Sequence, residues 1–502
     1  MNRIIPTTMA SQHPDHASIP FWHDTEFIST RHEVKECFIA FNELGISEYK
    51  WDWEGKYVDE SIVEKLYSEH FEYFKAHPLG KEKFLTFRLP NPKVETEFRL
   101  GRAFMGIFGA SGLAKQLELY EQPLFEVILP MTTSAQEMMD IQEAYSELAN
   151  LKHALFNKIP ENLKHIELIP LFEDIDTILN SDSILETYIE MHKKTFGTTP
   201  TYLRPYIARS DPALNSGLIP TVLATKIALS RYEQFEKRHG ISLHPIIGTA
   251  ALPFRGGLTP TNAMAFTKEY TGIRTALIQS AFRYDYPIKD VIAGLRVLDS
   301  ELPYGVAQHV SADDAAMLSD IAHVIEVPYK QTIERIAPLI NTVASHLPRR
   351  RERVQHIGLF GYSRGIGGVR LPRAITFTGS LYSVGAPPEI IGTGRALKDA
   401  KTKGTLAYIE QYYLNIKDNL KAALGFVNVN ALELLANESA AWKDVLDDVR
   451  GVEEYLGVQA GPTTPEQLEH AQLSQYIASH LHDMASCKDQ LTTQAHLRKS
   501  LG

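Results

Sequence analysis

The chain has 502 residues, 44% of them hydrophobic, enough for a large buried core; its formal charge of −10 and isoelectric point near 6.0 give nucleic-acid binding no electrostatic support. Two cysteines, Cys37 and Cys487, are too few for a disulfide framework or a zinc ribbon and fit a reducing interior. No apolar run is long enough to span a bilayer and the N-terminus lacks the apolar core of a signal peptide, so a soluble, cytoplasmic protein with no membrane partner is expected.

In chain order, the first segment with chemical character is Gln12-His13-Pro14-Asp15-His16. Proline after His13 restricts the backbone to an extended form and fixes where the imidazole points, which suits a proton acceptor near neutral pH. His13 and His16 with Asp15 could instead be metal ligands. Short β-type runs then alternate with longer helical patterns such as 135–157 and 220–238. The expected strands are 46–53, followed by Trp53-Glu54-Gly55-Lys56; 83–89, closed by Arg88; 124–130, followed by Met131-Thr132-Thr133-Ser134; and 166–172, closed by Glu173. They continue with 202–208, followed by Arg209-Ser210-Asp211; 244–249, followed by Phe254-Arg255-Gly256-Gly257; 275–281, with Gln279 and Arg283; and 356–361, followed by Tyr362-Ser363-Arg364. This order predicts an α/β fold, a closed (β/α)8 barrel of the TIM type over residues 1–394 with an N-terminal arm folded over its mouth. Residues 395–502 read as helix and are expected to form an α-helical extension packed on the barrel.

Barrel enzymes carry their chemistry on the loops after the strands. Glu173 and Asp211, each ending a β-rich run, suit a hard divalent cation bound together with a phosphorylated or carboxylated substrate, although either could simply cap a helix. Arginines at several strand ends of an acidic chain call for an anionic ligand. In Arg255-Gly256-Gly257 the glycines would let backbone N–H groups and the guanidinium approach one anion together, whereas the bland reading is a tight turn. Gly361 to Gly368 carries four glycines around Arg364 and reads as a loop that folds over a ligand. The basic run Arg349-Arg350-Arg351-Glu352-Arg353 reads as a solvated helix end or mobile loop, with arginines near a phosphate site as the alternative.

Together these strings resemble phosphoenolpyruvate carboxylase, specifically its short, archaeal-type branch. Gln12 to Asp15 resembles the family's His-Pro motif, Pro170-Leu171-Phe172-Glu173 and Ser210-Asp211 its two metal-binding segments, and Arg255-Gly256-Gly257 its Arg-Gly-Gly motif. Ser363-Arg364, and Arg373 within Leu371-Pro372-Arg373-Ala374-Ile375, resemble its later active-site arginines. The resemblance implies conversion of phosphoenolpyruvate and bicarbonate to oxaloacetate and phosphate, with Mg2+ or Mn2+ on Glu173 and Asp211, and a homotetramer. His13, Arg255, Arg364 and Arg373 would then be catalytic, and Arg88, Arg209, Gly256, Gly257, Gln279 and Ser363 would contact substrate. The chain departs from the long branch: it has one Arg-Gly-Gly, and Pro212-Ala213-Leu214-Asn215 stands where that branch carries a lysine after Ser-Asp. The alternatives are another Mg2+-dependent barrel enzyme acting on a pyruvate enolate, either an aldolase-type lyase or a phosphotransferase, and a non-catalytic metabolite-binding relative.

Overall fold

The computed structural model describes residues 4–54, 58–95, 97–150, 163, 165–352, 365–366 and 368–502. Eight parallel strands close into a barrel: β1 (Thr8–Ser11), β2 (Glu48–Asp52), β3 (Phe84–Arg88), β4 (Glu126–Leu129), β5 (Glu167–Phe172), β6 (Tyr206–Ile207), β7 (Ile246–Ile247) and β8 (Thr275–Ile278). Helices occupy the crossovers, as parallel strands require. Ser134 and Asp174 cap the helices that follow β4 and β5, and Gly240, in the left-handed region, ends the long helix Leu218–His239.

One expected strand is replaced. The barrel closes not with 356–361, which lies outside the described residues, but with Thr8–Ser11, paired to β2 through Met9↔Glu48 and Ser11↔Lys50 and to β8 through Thr8↔Ala276 and Ala10↔Ile278. The expected N-terminal arm over the mouth is therefore the first barrel strand. Thr-Met-Ala-Ser lacks the β-branched run that marks a strand in sequence; two flanking strands supply the pairing that propensity does not. The expected 202–208 strand is broken at Arg204-Pro205, leaving Tyr202–Leu203 to pair with Ser242–Leu243 outside the barrel sheet.

The barrel interior is layered. At its N-terminal end Arg204, fully buried, is bidentate to Glu48 (3.0 and 2.7 Å) and also donates to Glu126 (2.8 Å) and Thr275 (3.1 Å). Above that charged plug lies an apolar layer of Met9, Ile128, Ile169, Leu171, Tyr206, Ala208, Ile246 and Leu277. The cavity opens on top.

After β8 the described elements are helical apart from the small hairpin Gly365–Ile366/Val369–Arg370. One cluster of buried apolar residues runs from Ala10 to Leu491, joining the barrel's outer layer to these helices. The helical region reaches the mouth in two places. Glu389, fully buried, accepts hydrogen bonds from the Phe254 N–H and the Tyr382 hydroxyl, both 2.9 Å. Gly502 lies against Ile375 and Gly379, where an added Cβ would sit 1.9 Å from the Ile375 carbonyl oxygen, and Leu501 N–H donates to the Asp15 carbonyl (2.6 Å). Arg498, also buried, donates to the Leu501 carbonyl and steadies that turn.

Within the basic run, Arg349 is exposed and Arg353 lies outside the described residues, but Arg350 and Arg351 are not solvated. Arg350 pairs with Glu26 (2.6 Å) and donates to the carbonyls of His16 and Ala17, while Arg351 pairs with Glu36 (2.6 Å) and Glu33 (3.3 Å); both arginines are buried. Glu36 also pairs with Arg283 (3.1 Å) and accepts from Tyr49 and Tyr284. A run of like charges looks solvated in sequence until its acidic partners, more than 300 residues away, fold against it.

Burial pushes the Glu389 carboxyl up from 4.5 to about 7. The folded state thus keeps a proton that the unfolded chain has released, and stability falls as pH rises through that window and is level above it. Glu389→Gln, which keeps the acceptor oxygen, should remove this slope and stabilise the protein at pH 8 relative to pH 5 by on the order of 3 kcal/mol. Thermal melts of the two proteins across pH 4.5–8 check this; parallel curves would show that Glu389 does not titrate there.

A candidate active site at the barrel mouth

A single cavity at the C-terminal end of the barrel is lined by His13, Lys50, Glu54, Arg88, Glu173, Arg209, Asp211, Arg255, Gln279 and Arg373, over a floor that includes Leu171, Tyr206 and Leu277. Of the residues singled out in the sequence, His13, Arg88, Glu173, Arg209, Asp211, Arg255, Gln279 and Arg373 are brought together here. Ser363, Arg364 and Lys56 lie outside the described residues, as does most of the Gly361–Gly368 segment.

His13 stands two residues past β1. Ser11 Oγ lies 2.9 Å from its Nδ1, which orients the ring. The turn beneath it is pinned by Ser280, whose hydroxyl accepts from the N–H groups of Asp15 (3.0 Å) and His16 (3.2 Å). Asp15 in turn accepts from Ala281 N–H (2.9 Å). His16 is fully buried between Ser280 and the Glu26 carbonyl, and burial, with Arg351 next, lowers it to about 3. Both of its ring nitrogens are occupied by protein groups, so the alternative of a His13–Asp15–His16 metal site has no geometry to support it.

Arg255 sits in the turn Pro253–Arg255 and is buried. Its Nε donates to Ser210 (3.2 Å), Nη2 to Gln279 (2.9 Å) and Nη1 to the Gly502 oxygen, with Asp15 3.8 Å away. Gly256 and Gly257 differ from expectation. Their N–H groups donate to Pro253 and Leu252 inside the turn, and neither residue lines the cavity. They contribute conformation: both have positive φ (117° and 67°), and a Cβ would lie 3.0 Å from Thr249 Cα at the first and 3.2 Å from Pro253 Cα at the second. The chain can therefore turn back against β7 and present Arg255 inward.

Arg88 is bidentate to Asp52 (2.8 and 2.6 Å) and also pairs with Glu54; these carboxylates hold its charge firmly on. Arg209 lines the cavity with its guanidinium 5.6 Å over the Tyr270 ring, and its Nε and Nη1 are buried without a hydrogen-bond partner among the described residues. Arg373 enters from the start of the helix Ala374–Ser383. Arg283 does not belong here: it is buried against Glu36 and donates to the Ser11 carbonyl (2.6 Å).

Glu173 and Asp211 follow the adjacent strands β5 and β6 and face the same cavity. Met131 N–H donates to Glu173 Oε2 (2.9 Å), and Met131 adopts φ +53°, a strained conformation for a side-chain-bearing residue. Among the described residues no cluster of three or more His, Cys, Asp or Glu forms an all-protein cage. A carboxylate pair suits Mg2+ or Mn2+, which keep waters and complete their shells with substrate oxygens.

Lys50, Glu54 and Tyr206 are site residues that sequence reading did not assign. The signal was present for Lys50: in Glu48-Tyr49-Lys50-Trp51-Asp52 the aromatics alternate with charges, so one face of this strand is polar and points into the barrel.

The family profile described as phosphoenolpyruvate carboxylase matches residues 5–502. Among curated proteins, the phosphoenolpyruvate carboxylase of Leuconostoc mesenteroides is 40% identical over 475 residues, covering 94% of each chain. That of Oenococcus oeni is 38% identical over 506 residues, covering 100% of this chain and 99% of the relative. That of Metallosphaera sedula is 38% identical over 522 residues and covers both chains completely. Similarity that runs from the first barrel strand to residue 502, at these identities, is similarity of whole proteins, and the chain belongs to the phosphoenolpyruvate carboxylase family.

Proposed function

We propose that this cavity carboxylates phosphoenolpyruvate with bicarbonate, yielding oxaloacetate and phosphate. The observation that carries the reading is the convergence of Arg88, Arg209, Arg255 and Arg373, the carboxylates of Glu173 and Asp211, and His13 on one cavity. A trianionic substrate needs that much positive charge, and Glu173 and Asp211 have the donor chemistry to hold a divalent cation, which would supply electrostatic stabilisation of the developing enolate. Arg255 and Arg373 hold the phosphoryl group and neutralise it as a bicarbonate oxygen attacks phosphorus and the enolate oxygen departs. Arg255 needs no reorganisation for this, since Ser210, Gln279 and the Gly502 oxygen fix its plane beforehand. His13 takes the proton of the resulting carboxyphosphate at its imidazole, which releases CO2 and phosphate beside the enolate. Enolate carbon then bonds to CO2. Exclusion of water matters at this step, since a protonated enolate is lost as pyruvate.

A homotetramer in the cytoplasm is the expected setting, on the family resemblance alone; no helix among the described residues is long and apolar enough to cross a membrane.

Glu173→Gln or Asp211→Asn should lower kcat/KM by roughly 100-fold or more and weaken the dependence on Mg2+ or Mn2+ without lowering Tm appreciably. A variant with unchanged metal activation would take that residue out of the ion's shell.

His13→Asn should lose oxaloacetate formation while some bicarbonate-dependent phosphate release survives, with pyruvate as the product. Arg255→Ala should lose both, because it acts on the earlier charge. Parallel assays of phosphate, pyruvate and oxaloacetate distinguish the two; equal loss of every product in His13→Asn would move His13 to the phosphoryl step.

A further inference from the structure

Lys50 lies in the middle of β2, with Tyr49 and Trp51 on either side turned outward into the core and Lys50 turned into the barrel. It is 1% exposed. Its strand partners are Ser11 on β1 and Thr86 on β3, two positions below the level at which Asp52 and Arg88 meet. The side chain crosses the barrel, and its Nζ stands 5.9 Å over the ring of Tyr206 on β6. Among the described residues Nζ has no carboxylate oxygen within 4.0 Å and no hydrogen-bond partner, although Asp52 and Glu54 on the same side are paired with Arg88. An ammonium so placed is costly to desolvate, and a neutral side chain of the same length would fill the space at no such cost. Burial first, and the Arg88 charge second, lower its pKa to about 7, in keeping with an ammonium short of partners.

The surroundings say which atoms it serves. Arg255 and Arg373 enter from loops beyond the strands, at the outer level of the cavity, and Glu173 and Asp211 also follow their strands. Lys50 rises from within a strand, among Leu171, Tyr206 and Leu277. Leu171, Leu277 and the Tyr206 ring give that floor apolar surface, suited to the one neutral species in the reaction, CO2. When enolate carbon attacks CO2, the electron pair of the enolate forms the new C–C bond and a C=O pair moves onto oxygen. The neutral molecule becomes a carboxylate, with no proton transferred and no other reactant. Negative charge therefore develops at the floor, away from the arginines of the outer loops.

We propose that Lys50 is a catalytic residue for the carbonate-derived group: its Nζ donates to the oxygens of bicarbonate on entry and to those of the carboxylate that the same carbon becomes. The assignment rests on the carboxylation reading above and names a residue that reading does not use.

The test uses the full chain with its activating metal. Rates are measured against bicarbonate at saturating phosphoenolpyruvate and against phosphoenolpyruvate at saturating bicarbonate, with pyruvate and oxaloacetate assayed together. Lys50→Met should raise the half-saturating bicarbonate concentration roughly tenfold or more, leave that for phosphoenolpyruvate within about twofold, and increase the fraction of enolate lost as pyruvate. Lys50→Gln, held to the same criteria, serves if the methionine variant does not fold. Unchanged bicarbonate saturation, or an equal rise for both substrates, overturns the role of Lys50. The wild type separates the two ideas: without bicarbonate-dependent oxaloacetate the carboxylation reading itself falls, whereas a carboxylating wild type with a bicarbonate-insensitive Lys50→Met leaves that reading standing and ends this one.

Discussion

Closure of the barrel by Thr8–Ser11 is the constraint on which the rest of the site depends. Four residues between β2 and β8 complete the ring of hydrogen bonds, and without them both neighbours would be open edges. Because the strand ends at Ser11, His13 becomes a strand-end residue held as rigidly as Glu173 or Asp211. Ser280 then fixes the turn that carries it, so His13 is positioned by the barrel rather than by a flexible arm.

Several arginines of the interior are matched by carboxylates, whether they line the cavity, as Arg88 does, or lie away from it. Arg204, Arg88, Arg283 and Arg351 are each matched by one or more carboxylates within ion-pair distance. Removing one partner of such a pair would leave an uncompensated charge in the interior, which is why these clusters act as fixed joints between distant segments. Arg209 is held otherwise: its guanidinium lies over the Tyr270 ring and two of its nitrogens are unpartnered among the described residues, while Arg255 is held mostly by Ser210, Gln279 and the Gly502 oxygen, with Asp15 at 3.8 Å. A guanidinium positioned by neutral groups keeps its charge available for an anionic ligand. Lys50 stands with Arg209 in this respect.

Much of this was legible in the chain. The β/α alternation and the acids at 173 and 211 mark a barrel because parallel strands end abruptly where the helix-capping loop begins, and local pattern carries that information. What local pattern does not carry is pairing. Thr8–Ser11 is a strand because two others flank it, Arg350 and Arg351 are buried because Glu26, Glu33 and Glu36 fold against them, and both depend on contacts between residues hundreds of positions apart. Gly256 and Gly257 illustrate a third case. They matter to Arg255 through conformation: the freedom they supply is used to fold the turn against Thr249 and Pro253, and the N–H groups are consumed in doing so.

The meeting of Asp15 and Leu501 at one side of the mouth has a consequence for biosynthesis. Arg255 is completed by an oxygen of residue 502, and the turn that carries His13 is bonded to residue 501, so the pocket joins segments separated by nearly the whole length of the chain. During synthesis Arg255 lacks one of its partners until the residues that follow the helix Lys488–Leu497 have docked. Assembly of the mouth therefore depends on contacts of very long sequence separation, with the loop-closure cost that such contacts carry, and not on the barrel strands alone.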